Sequence, residues 1–292
     1  MKNYFHLFVY LSLGFLLFAL YHANYLTIPN VVSPGYFALS LLLLCLGFLV
    51  DAFSWHTTLR VAGNKTSVKD ALASMGLSIF GKYIPGKFWV IAGRAAFIAK
   101  KYDLNEKNTT ILSLNAQFIS LWAALLIGGL GVLLIEGVST WGAGALLLWV
   151  LLSLVLFTKW CHSFIENLFL LLFKKNILIP QLKPKDVFRV MHWYLMTWGL
   201  WSVAFYFLAA GLTAHPLNLM VGFAFTIGAT LGILVLFAPG GIGVREGVLF
   251  VFLVSCGLAA PEATTVAVSS RLWFLAGELF IFLLGLGLAR KS

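Results

Sequence analysis

Apolar stretches long enough to cross a bilayer recur from one end of this chain to the other. As a helix, about 20 such residues rising about 1.5 Å each span the hydrocarbon layer. No water reaches the backbone there, so only helices or a closed barrel can satisfy its polar groups. Barrel strands would alternate in segments of roughly 10 residues, and these runs do not alternate. Of the 292 residues, 61% are hydrophobic and only 10% are charged, against about 25% charged in a soluble domain. The chain reads as an all-α, polytopic integral membrane protein, a single transmembrane domain over 1–292.

Charge sets the expected orientation. The net charge is +10, and basic loops hold a membrane protein on the cytoplasmic side, where they meet anionic headgroups. Nucleic acid is therefore not the expected partner. A first helix over Phe5–Leu26 is read as retained rather than cleaved, and the loop Thr27–Gly35 after it has no Lys or Arg. A second helix, Tyr36–Thr58, leads to a block running from Arg60 through Lys65, Lys69, Lys82, Lys87, Arg94, Lys100 and Lys101 to Lys107. That block belongs in the cytoplasm, and so does the N-terminus. Spans follow at Thr109–Ile135, Trp141–Thr158 and Met191–Ala210, with an interfacial helix at Phe164–Lys175. The basic end at Ala289–Ser292 places the C-terminus in the cytoplasm too. The expected location is the cytoplasmic (inner) membrane.

Some apolar segments are too short. Ala71–Phe80, Phe88–Ala99 and Val248–Leu258 each reach about half of the 20 residues a span needs. The expectation is about 6–8 transmembrane helices with one or two re-entrant, Pro-Gly-broken hairpins. The first covers about 68–100, with a pair of surface helices as the other reading of that block, and the second break covers about 234–258. Over Asn218–Ala289 the charges admit either three simple spans or one hairpin and one span.

The two breaks share their chemistry: an apolar approach, Pro-Gly, then glycine and arginine. Pro85-Gly86 and Lys87 mark the first; Pro239 and Gly240 open "PGGIGVREG" in the second. Paired, Gly/Pro-interrupted segments point to a transporter's binding site. Proline ends the incoming helix. Gly240, Gly241 and Gly243 let backbone N–H groups approach a ligand. The helix restarting near Val244 turns its positive end to the gap. Arg245 adds a forked cation suited to phosphate, with Glu246 beside it as its orienting or resting partner. Asp51 in the second span and Arg271 and Glu278 in the last one are charges that should face an interior or a water-filled cavity. Arg271 and Glu278, seven residues apart, lie on nearly one face and would otherwise form an ion pair between helices. Asn115 and Gln117 read as interhelical hydrogen-bonding residues.

Other chemistries find no footing. Cys45, Cys161 and Cys256 lie apart, without metal or redox spacing, and read as small buried residues. The histidines do not cluster, so no metal and no cofactor are expected. "GNKTSVKD" (Gly63–Asp70) lacks the earlier glycine of a phosphate loop. The sequons at Asn64 and Asn108 fall on the cytoplasmic side.

"GKYIPGKFW" (Gly81–Trp89), "APGGIGVREG" (Ala238–Gly247) and "SSRLWFLAGE" (Ser269–Glu278) resemble the lysylphosphatidylglycerol synthase transmembrane family. The resemblance covers essentially the whole chain. It implies movement of lipids or lipid-linked molecules between leaflets. It also implies Pro85, Gly86, Lys87, Pro239, Gly240, Gly241, Gly243, Arg245, Glu246 and Arg271 as lining. Synthase members continue into a soluble aminoacyl-transferase domain, and this sequence ends at Ser292, so no aminoacylation is expected of it.

The leading expectation is a flippase-like lipid translocase, not an enzyme. Its partner would be a membrane phospholipid or a polyprenyl-phosphate-linked lipid. Open alternatives are a translocase for polyprenyl-phosphate-linked sugar, a membrane-embedded transferase and a non-transporting scaffold. A homo-oligomer, and a separate lipid-modifying enzyme or glycosyltransferase as partner, also stay open.

Overall fold

The computed structural model describes residues 30–84, 88–137, 139–158, 182–235, 241 and 243–290. The expected first helix, the segment Phe164–Lys175, Cys161 and the tip residues Pro85, Gly86, Lys87, Pro239 and Gly240 lie outside them. The described residues form helices and connecting turns, with no strand. The helices are α1 (Pro34–Val61), α2 (Val68–Ser78), α3 (Phe88–Lys101), α4 (Glu106–Glu136), α5 (Thr140–Phe157), α6 (Pro184–Leu212), α7 (Val221–Leu234), α8 (Val244–Ser255) and α9 (Ala260–Arg290), with a 3₁₀ turn over Ile79–Tyr83 after α2.

Among the described residues, α1, α4, α6 and α9 are long and apolar enough to cross a membrane, at 28 to 31 residues each. That is about 42–46 Å, beyond the roughly 30 Å hydrocarbon layer. The extra turns are polar. The expected fifth span began at Met191, but α6 starts at Pro184, where proline's missing N–H costs nothing. The Asn105 side chain starts α4 by accepting from the Asn108 N–H at 3.0 Å.

α1 packs antiparallel along α6. The Val32 and Ser33 N–H groups donate to the Gly211 carbonyl at 2.9 and 3.0 Å. This end also holds Glu136, His215 and Glu262, and its described residues include no Lys or Arg. The other end gathers Arg60, Lys65, Lys69, Lys100, Lys101, Lys107, Lys183, Lys185, Arg189 and Arg290. A cleft there joins Val61, Asn64, Asn105, Asn108, Lys183 and Asp186.

α2 and α3 form one hairpin and α7 and α8 another. At 11 to 14 residues per helix, each arm is about 16–21 Å long, short of the hydrocarbon thickness. Of the two readings of Asn218–Ala289, the helix lengths match one hairpin followed by one long helix. The hairpins open at opposite ends of the helix bundle. The first opens at the basic end, where Asp70 accepts from Lys101 Nζ and Tyr102 Oη, both at 2.6 Å. It climbs α9 from the C-terminal side, with Gly76 backbone-to-backbone against Ile281 and Gly285. The second opens at the far end, where Ser255 Oγ reaches Glu136 at 3.5 Å. It descends α9 from the N-terminal side, and Arg245 meets Ser270. Lys82 of the first hairpin and Arg245 of the second therefore both meet the middle of α9, at Glu278 and Ser270. Cys45, on α1, and Cys256, at the C-terminal cap of α8, are half-buried rather than buried as expected.

Candidate functional site

The turn into α8 shows why the glycine run is needed. Gly241 has φ 71° and Gly243 φ 81°, conformations that side chains with a Cβ rarely adopt. Gly241 also lies against the Gly232 backbone, and Gly232 against the Arg245 Cβ. A side chain at Gly241 would push the hairpin arms apart. Glu246 Oε2 accepts the Gly243 N–H at 2.7 Å, which satisfies one orphan donor of the first turn and fixes the carboxylate.

Arg245, Glu246, Arg271 and Glu278 are all buried, at 5%, 7%, 3% and 1% exposure. Glu278 takes two donors from the tip of the first hairpin: Lys82 Nζ on Oε1, and Tyr83 Oη on Oε2 at 2.8 Å. Glu246 faces Arg271, whose Nη1 is 3.8 Å from Oε1. Thus Arg271 and Glu278 do not pair with each other; each is latched to a different hairpin. The expectation that Glu246 partners Arg245 is also corrected. Helical geometry turns adjacent side chains about 100° apart, so Glu246 points to Arg271 while Arg245 points elsewhere.

Arg245 lies between ring faces. Its guanidinium carbon is 4.8 Å from the Phe225 centroid and 5.1 Å from that of Phe274. Its polar contacts are long: Nη2 to Ser270 O and Oγ, both 3.5 Å. Its Nε has no hydrogen-bond partner, and no described carboxylate lies within ion-pair reach. The aromatic faces attract the guanidinium but leave its donors largely unused. Behind them, Phe48, Trp201, Phe225, Trp273 and Phe274 form a continuous ring cluster with centroids 5.1–5.5 Å apart.

Asp51 is half-buried on α1. The charges acting on it are Arg94 and Lys82. Arg94 is held firmly: Nε donates to Ser113 Oγ and Nη2 to Ser113 O, both at 2.6 Å, with its guanidinium over Trp55. Asn115 is buried, as a hydrogen-bonding role requires, and Gln117 is half-buried.

The sequence reading missed Lys82, Tyr83, Ser270, Phe225 and Phe274. Lys82 and Arg94 fall in the stretch read as a basic cytoplasmic loop, yet half-buried Lys82 pairs with buried Glu278 and buried Arg94 acts electrostatically on Asp51. The signal was position: Lys82 stands three residues before the hinge Pro85, inside the apolar approach rather than beyond it.

The family model described as "Lysylphosphatidylglycerol synthase TM region" matches residues 6–285. The chain belongs to that family. No curated protein matches it.

Proposed function

We propose that this member of the lysylphosphatidylglycerol synthase transmembrane family is a lipid translocase, with Arg245 as the cation that receives the headgroup phosphate. The basic end faces the cytoplasm of a bacterial-type inner membrane by the positive-inside rule, with both termini on that side. The two hairpins are then re-entrant, one from each leaflet, and tails stay in lipid while the headgroup passes between the tips.

One observation carries the reading. Arg245 is a buried cation, 5% exposed, without a described carboxylate partner and with only long contacts to Ser270. A buried cation with no described carboxylate in contact is expensive, and an anion that comes and goes accounts for its standing presence. Glu246 and Glu278 are both engaged by cations and donors, which argues against a general base and so against a transferase. The polyprenyl-phosphate reading uses the same phosphate contact, so the lipids that co-purify decide between the two.

The test is translocation of a fluorescent-tailed phospholipid in vesicles reconstituted with purified protein. Arg245→Ala should slow it about tenfold or more, the equivalent of about 1.4 kcal/mol. Equal rates for the two proteins sink the assigned role of Arg245.

A further inference from the structure

We infer that the site is matched to a headgroup carrying one negative charge, a phosphodiester, and that Glu246 and Glu278 are the specificity-determining residues that turn away more highly charged headgroups. This rests on the translocase reading and adds to it the charge class of the substrate.

The inference comes from a charge count at the meeting point of the hairpins. Among the described residues, three cations (Arg245, Arg271, Lys82) stand with two carboxylates (Glu246, Glu278). The surplus is one positive charge. Widening the boundary to Arg94 and Asp51 adds one of each sign and leaves the surplus unchanged. The pairing locates it: Lys82 is committed to Glu278 and Arg271 faces Glu246, so the surplus falls on Arg245.

Buried charges are tolerated when paired, and a desolvated surplus of either sign is costly. A phosphodiester monoanion brings the cluster to neutrality. A phosphomonoester, whose second proton leaves near a pKa of about 6, or a pyrophosphate brings at least one more negative charge. That charge would come under the repulsion of Glu246 and Glu278, both of which act electrostatically on Arg245. Like charges at such a site oppose ionisation or exclude the ligand. The two carboxylates therefore hold two cations in place and cap the charge the site accepts.

Removing either carboxylate charge raises the surplus to two and matches a dianion. Glutamine is the right replacement at Glu246, because its amide oxygen can still accept the Gly243 N–H.

The experiment compares two lipids with the same fluorescent tail in phosphatidylcholine vesicles at about pH 8. One carries a glycerol phosphodiester and the other a bare phosphate, which is dianionic at that pH. Wild type should move the phosphodiester about tenfold faster, and Glu246→Gln and Glu278→Gln should each narrow that ratio about threefold or more, as a like-charge penalty of that size implies. If the ratio is the same in wild type and both variants while movement still depends on Arg245, the charge matching is overturned and the translocase reading stands. If wild type moves neither lipid, the translocase reading itself falls. Where a variant loses all movement, the ratio of the two lipids bound in native mass spectrometry replaces the rate ratio, and an unmoved ratio there overturns the inference.

Discussion

Arg271 and Glu278 share one face of α9, seven residues apart, yet each is bound to the tip of a different hairpin rather than to the other. Seven residues rise about 10 Å along a helix, too far for a direct pair within one helix but well suited to two partners arriving from opposite ends. Tyr83 bridges the interval: it donates to Glu278 at 2.8 Å, and its ring lies 5.8 Å from the Arg271 guanidinium carbon.

The Lys82–Glu278 latch should be visible in stability. Glu278→Ala leaves Lys82 without its buried counter-charge and should cost about 3–5 kcal/mol. Combining it with Lys82→Ala should cost less than the sum of the two single changes. Unfolding of the purified protein by titration with a denaturing detergent measures both, and strict additivity would show that the pair is not coupled.

Gly243 predicts a backbone effect free of packing. Its φ of 81° and ψ of −49° suit glycine alone, while an added Cβ would meet nothing within 4 Å. Gly243→Ala should destabilise by about 1–3 kcal/mol. Gly35→Ala, also in open space but at an ordinary helical position, should cause no loss. The same unfolding titration compares them.

At Gly76 the opposite holds. A side chain there would run into the Ile281 carbonyl and the Gly285 backbone, neither of which can rotate away. Gly76→Leu should cost about 1–3 kcal/mol or more, seen as a lower melting midpoint.

His215 joins the loop before the second hairpin to the start of α9, with Nε2 2.9 Å from Glu262. The hydrogen bond to Glu262, helped by the Pro216 carbonyl, holds the imidazolium above its ordinary pKa of 6.5. A raised folded pKa means the contact is fully present below about pH 6.5 and is lost as pH rises through the folded value. The His215 ring resonances in NMR should titrate above 6.5, and Glu262→Gln should bring the midpoint back toward it.

Orientation can be read by labelling. In a cysteine-free background, Leu219→Cys, at a position 71% exposed, should react with an impermeant maleimide in intact cells. Arg290→Cys should react only after lysis. The reverse pattern would invert the topology.

Much of the architecture could be read from length and charge alone. Runs of about 20 apolar residues and the one-sided placement of Lys and Arg marked the long helices. The shortfall at Ala71–Phe80 and Val248–Leu258 marked the hairpins. Arg245, Glu246, Arg271 and Glu278 could be picked out because charges are rare in such surroundings. Their pairing could not. Whether Glu246 turns to Arg245 or Arg271 depends on the angle at which α8 meets α9, and Lys82 looks like any loop lysine until the first hairpin is seen to climb α9. The aromatic seat of Arg245 was hidden for another reason: Phe225 and Phe274 are two of 26 phenylalanines, and nothing local sets them apart.

The glycine contacts have a mechanical consequence. Where backbone touches backbone, no side chain can rotate to let two helices part. Gly76 and Gly285 weld α2 to α9 in this way, and Gly222 against the Ser202 carbonyl and Gly232 against Gly241 weld α6, α7 and α8 to one another. Between these two groups the charged contacts run through side chains: Arg245 against Ser270 and Glu246 against Arg271. Among the described residues, these two backbone-welded groups therefore meet through side chains, and the buried charges lie at that junction.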